Sequence, residues 1–156
     1  MKTRVCILLV ILTVAICFVP TLALAAPAQT IQVSGSMQEV IIQFALTAHG
    51  VTATGTDTWT GTLAGDGTFH IFSSDVIDLT NGIEANVISS RILFTSEGSL
   101  FLSDLGARNG DTVNVVSTVV RGTGKFKNAT GQLVLQGLHT GTAINFTYSG
   151  SITLAH

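Results

Sequence analysis

Past residue 25 the sequence predicts an all-β fold, a single antiparallel up-and-down β-barrel of about eight strands, preceded by a signal peptide. Three observations carry this expectation. Apolar and polar residues alternate with a period of two over long stretches, which puts one face on a core and the other in water. Short clusters of Gly, Asn and Asp separate the stretches, and these residues tolerate the positive φ that hairpin turns need. No segment after residue 25 repeats its apolar residues at helical spacing. A meander of this kind buries its edges best by closing, although a two-sheet sandwich satisfies the same pattern.

In chain order, Lys2 and Arg4 give a basic start, Val5 to Val19 run apolar with Thr13 as the interruption, and Pro20 leads into Ala23-Leu24-Ala25. That is the basic, apolar and small-residue order of a secretory signal. Cleavage is expected before Ala26, making residues 1–25 the signal peptide and 26–156 the domain of a secreted or periplasmic protein. An uncleaved anchor competes with this reading, because the apolar run nears the length that spans a bilayer. The Ala-x-Ala tail favours cleavage, and with it no stable membrane insertion. A lipoprotein signal at Cys17 is disfavoured by Ile16, which is not small.

Cleavage removes both cysteines, Cys6 and Cys17, so no disulfide, thiolate metal site or thiol nucleophile remains in the mature chain. It also removes two of the seven basic residues, leaving five against nine acidic ones. No basic stripe survives, and nucleic acid is not an expected partner.

Strands are expected at Ile31–Met37, Glu39–Ala48, Val51–Thr60, Thr68–Leu79, Glu84–Thr95, Ser99–Leu105, Thr112–Val120, Gln132–Leu138 and Ile144–Leu154. Turns are expected at His49-Gly50, Gly65-Asp66-Gly67, Asn81-Gly82, Glu97-Gly98, Asn109-Gly110-Asp111 and Thr140-Gly141. In the last strand Ile144, Phe146, Tyr148, Ile152 and Leu154 alternate with Asn, Thr and Ser. In Val51–Thr60 a row of threonines takes the solvated face, opposite Val51, Ala53, Gly55, Asp57 and Trp59.

Catalytic signatures are sparse. His49, His70, His139 and His156 do not pair at metal-ligand spacing, so neither a metal nor another cofactor is expected. No Gly-x-Ser-x-Gly elbow occurs. Gly124-Lys125 is followed by Phe126 rather than Ser or Thr, which rules out a phosphate loop, and Lys127 stands where a dinucleotide fingerprint needs its third glycine.

The carboxylates are the better candidates. Asp57 shares a face with Val51 and Trp59, and Asp75 shares one with Phe69, Ile71 and Ile77. A carboxyl turned into an apolar interior keeps its proton to higher pH and can act as a general acid. Arg91, on the face of Val87 and Leu93, is a partner for either. The competing reading leaves both carboxylates solvated near strand ends. Trp59, Phe69 and Ile71 are the candidate ligand-binding residues. Asn128-Ala129-Thr130 and Asn145-Phe146-Thr147 are acceptor sequons for a cell that glycosylates.

One stretch is unlike an ordinary hairpin: Val119-Val120-Arg121-Gly122-Thr123-Gly124-Lys125-Phe126-Lys127-Asn128-Ala129-Thr130-Gly131. It resembles the signature of the allene oxide cyclase and dirigent-like β-barrel superfamily, in which Gly-Gly-Thr-Gly-Arg/Lys-Phe leads through Ala-x-Gly into the next strand. Arg121 stands here in place of the first glycine. Phe146 to Thr153 is similar to the closing strand of small exported bacterial members, and the resemblance extends over Val113 to Leu154. Physically, Gly122 and Gly124 allow a turn closed to other residues, Phe126 can fold inward as a plug, and Gly131 opens the next strand.

The function expected from these residues is binding of a hydrophobic small molecule or a partner, without a recognisable catalytic constellation. The resemblance implies the alternative, a cofactor-free isomerase or cyclase acting in the barrel lumen. With 10% charged residues, part of the outer wall is expected to be covered, as in a homo-oligomer.

Overall fold

The structure, a computed structural model, describes residues 27–48, 50–78 and 84–155, and the side chains of 73–78, 84 and 85 are outside the description. The signal segment, His49, the Asn81-Gly82 turn and His156 also lie outside the described residues.

Eight strands follow one another as antiparallel neighbours: β1 (Gln29–Thr47), β2 (Gly50–Gly61), β3 (Gly65–Asp78), β4 (Glu84–Thr95), β5 (Gly98–Asn109), β6 (Thr112–Gly122), β7 (Thr130–Thr140) and β8 (Ala143–Leu154). β1 pairs with β8 and closes the barrel. Closure leaves no unpaired edge, which is how an uncapped meander avoids pairing with other chains.

Several strands run a few residues beyond the sequence expectation, β5 furthest, to Asn109, and two differences change the architecture. Ile31–Met37 and Glu39–Ala48 are one strand, β1, because Gln38 carries no turn chemistry and the pairs Met37–Trp59 and Glu39–Asp57 run straight across it. β1 bends later, at a bulge between Ile41 and Gln43. Gly65-Asp66-Gly67 is not a turn but the start of β3, the reversal falling just before it, between Gly61 and Gly65. Gly67 is required for another reason: it pairs with Asp57, and a Cβ there would collide with the Asp57 carboxylate.

The alternation holds where it was clearest. Ala53, Asp57 and Trp59 of β2 and Ile144, Phe146, Tyr148, Ile152 and Leu154 of β8 are buried, and the polar residues between them face outward. Between β6 and β7 the Gly124–Phe126 segment makes one 3-10 turn that drops Phe126 into the core at 2% exposure. Gly124 has φ +57, and a Cβ on Gly122 would strike the Phe126 carbonyl. The turn is tied to the start of β5, Thr123 N–H donating to Ser99 O and Lys125 N–H to Glu97 O, both at 2.9 Å. Gly131 is the second residue of β7. Phe126, Leu63, Ala129 and Leu154 belong to the same buried cluster, so this end of the barrel is filled.

The outer wall also carries apolar residues. Ile88, Leu105, Val116 and Val134 are direct register partners across β4, β5, β6 and β7, and all four are exposed. Among the described residues no helix is long and apolar enough to cross a membrane.

Candidate functional site

Halfway along the barrel the hydrocarbon core gives way to a buried polar layer. Glu39 from β1, Asp57 from β2, Ser89 and Arg91 from β4, Asp104 from β5 and Ser117 from β6 all point inward, each at an alternation position that would otherwise hold an aliphatic residue. Arg91, 3% exposed, is the hub. Its Nε donates to Asp104 Oδ2 at 3.1 Å, Nη1 to Asp57 Oδ2 at 2.5 Å, and Nη2 to Glu39 Oε2 at 2.9 Å. Nη1 also approaches Met37 Sδ at 3.1 Å, and the guanidinium carbon stands 5.9 Å from the Trp59 ring and 5.7 Å from the Phe69 ring. Asp104 is held further by Ser89 Oγ at 2.9 Å and Ser117 Oγ at 2.6 Å.

Three carboxylates therefore face one guanidinium in a medium that solvates none of them well. Burial pushes the Glu39 carboxyl above its usual range, Arg91 offsets only part of this, and Asp57 and Asp104 push it further up. Burial raises Asp57 likewise, against the opposing pull of Arg91. Burial alone would weaken the proton on Arg91, but the three carboxylates reverse this and hold it more firmly than in water. Asp57 Oδ1 and Trp59 Nε1 have no hydrogen-bond partner, although the indole N–H still favours the Asp57 anion from two residues away.

Above this layer, at the end opposite the Phe126 plug, lies a cavity of about 120 Å3. One water needs about 10–15 Å3 by the same measure, so the space suits a small organic molecule. Its walls are hydrocarbon, including Ile71, Val87, Val115 and Phe146, and its floor is Glu39, Ser89 and Arg91. Glu39 is 3% exposed, yet its Oε1 has no hydrogen bond among the described residues. Arg108 and His139 stand among the lining residues at the strand ends, beside the exposed Phe44 and Leu46. Burial lowers the pKa of His139, and Arg108 lowers it further. Arg108 Nε donates to Gly110 O at 2.7 Å.

The structure joins Asp57 and Arg91 in one ion pair inside the barrel. The side chain of Asp75 lies outside the described residues; its backbone pairs with Asn86 in β4, beyond a bulge between Ile71 and Ser73. Ile71 lines the cavity, whereas Trp59 and Phe69 stack against Arg91 in the polar layer. Glu39 and Asp104 escaped the sequence reading although parity marks both: Glu39 follows Val33 and Met37 on the inward face of β1, and Asp104 follows Leu100 and Leu102 on that of β5. Among the described residues no group of His, Cys, Asp and Glu is placed to hold a metal ion.

No family model matches the chain, and no curated protein matches it in sequence. Among solved structures it is similar to the pterocarpan synthase dirigent protein GePTS1, at a TM-score of 0.54 and 13% identity, covering 88% of this chain and 95% of that one. The likeness is one of fold, a closed barrel of eight antiparallel strands.

Proposed function

We propose that the protein is an exported barrel that binds one small, largely apolar molecule, its hydrocarbon part against the cavity walls and its polar group on Glu39 and Arg91. The observation that carries this reading is the cavity itself: hydrocarbon on the sides and a charged, hydrogen-bonding floor, the composition of a small-molecule site. Filling the space is the direct test. Ala53 is buried and lines the cavity. An Ala53→Leu variant is expected to fold and to lose the thermal stabilisation that small apolar alcohols and amines give the parent. Unchanged stabilisation would put the ligand elsewhere. Export rests on residues 1–25, and mass analysis of the secreted protein is expected to find Ala26 at its N-terminus.

A cofactor-free isomerase or cyclase is the second reading, and one feature favours it. Glu39 holds its proton beyond the usual carboxyl range and keeps Oε1 free at the cavity floor, where it can protonate an oxygen of a bound substrate. The structural neighbour's name, a synthase, is in keeping with such chemistry in this fold. Turnover of an apolar substrate that Glu39→Gln leaves unchanged would remove this reading.

A further inference from the structure

We infer that the molecule the cavity selects is a small organic amine, bound as an ammonium ion on Glu39 Oε1. The inference rests on the cavity reading above and adds the chemistry of the ligand's polar end.

Charge is the first argument. Glu39, Asp57 and Asp104 converge on Arg91, and no second cation bonds to them among the described residues. Three carboxylates against one guanidinium leave the layer with an excess of acidic groups among the described residues. A carboxylate or phosphate entering such a floor would add to the excess. Arg91 offsets little of that excess, since each of its three nitrogens already donates to one of the protein's own carboxylates and its single charge is shared among three anions.

Geometry is the second. Of the three acids Glu39 is the one that lines the cavity; its Oε2 accepts from Arg91, and among the described residues no hydrogen bond reaches its Oε1. Asp57 and Asp104 sit behind Arg91 and do not line it. The cavity thus offers a cation one oxygen, with aliphatic walls that exclude water and strengthen the ion pair.

The cationic rim opposes a second cation and so defines how the ligand enters. Arg108 and His139 line the cavity, with Asp111 4.0 Å from the Arg108 guanidinium. An amine passes them as the free base. At the floor its nitrogen lone pair takes the Glu39 proton, so that an N–H bond forms as the Glu39 O–H bond breaks, leaving an ammonium carboxylate pair. The groups that face this exchange are Glu39, Asp57, Arg91 and Asp104 at the floor, and Arg108, His139 and Asp111 at the rim.

Titration calorimetry on the mature protein near neutral pH, with cyclohexylmethylamine, cyclohexylmethanol and cyclohexanecarboxylate, tests this. The amine is expected to bind about tenfold or more tighter than the alcohol, and the carboxylate weakest. Amine binding should release protons to the medium, read as an enthalpy that differs between phosphate and Tris buffers. Glu39→Gln should cost the amine about tenfold and abolish the buffer dependence of its binding enthalpy. Should that variant fail to fold, the buffer dependence of the parent decides alone. Alcohol binding as tight as the amine, or amine binding without proton release, overturns the inference and leaves the cavity reading standing. If Ala53→Leu binds all three compounds as the parent does, both fall.

Discussion

At the scale of single residues, Arg91 is the member of the polar layer that the barrel can least afford to lose. Removing it leaves three buried carboxylates without their cation, and breaking a buried pair from one side costs about 3–5 kcal/mol. Arg91→Met is therefore expected to lower unfolding stability by that order in urea at neutral pH, and to recover part of it in acid, where the carboxyls become neutral. The parent should show a related trend. Glu39 and Asp57 have folded-state pKa values above their ordinary 4.5 and 3.8, so the folded state binds more protons than the unfolded chain between those values and the raised ones. Their contribution is thus greatest at or below pH 3.8 and is lost as pH rises through the raised pKa values. Thermal melts across that window should show these two groups lowering the melting temperature as pH rises, and Glu39→Gln should flatten the trend. A melting temperature that climbs steadily with pH, unaltered by that variant, would contradict the assignment.

At the scale of elements, the β6–β7 connection decides whether one end of the barrel is sealed. Phe126→Ala would leave a void in a filled core and is expected to cost about 3–5 kcal/mol by denaturant unfolding. Gly124→Ala should also destabilise, because φ +57 strains a residue with a Cβ and that Cβ would lie 2.3 Å from the Glu97 carbonyl oxygen. This element was readable from the order Gly-Thr-Gly-Lys-Phe, since glycine spacing and one aromatic residue encode a local event. Bulges were not readable. The register of β3 slips at Phe72, and the bulge in β1 leaves Ile42 on the outside of the wall. A bulge is set by the pairing of two strands, and neither strand records it alone.

At the scale of the whole molecule, the outer wall is as unusual as the interior. Around the Ile88–Leu105–Val116–Val134 row the outward neighbours are Asn86, Ser90, Ser103, Ala107, Asn114, Thr118, Gln132 and Gln136, none of them charged. An uncharged face has nothing with which to steer a charged partner, and it matches an identical copy of itself. We expect a homo-oligomer through this face, seen as concentration-dependent mass in light scattering, and Leu105→Lys, at a position 65% exposed, should dissociate it without changing the circular dichroism. A monomer at every concentration would remove the expectation.

What the sequence determined by itself was periodic or local: the all-β class, the alternation in β2 and β8, most turns and the Phe126 plug. Those follow from backbone geometry acting over a few residues. Tertiary structure decided which inward groups meet. Glu39 and Arg91 lie 52 residues apart in the chain, and only closure of the meander brings them within 2.9 Å. The carboxylate excess below the cavity exists because five strands turn six polar side chains to the same level of the barrel, a coincidence of register that no single strand carries.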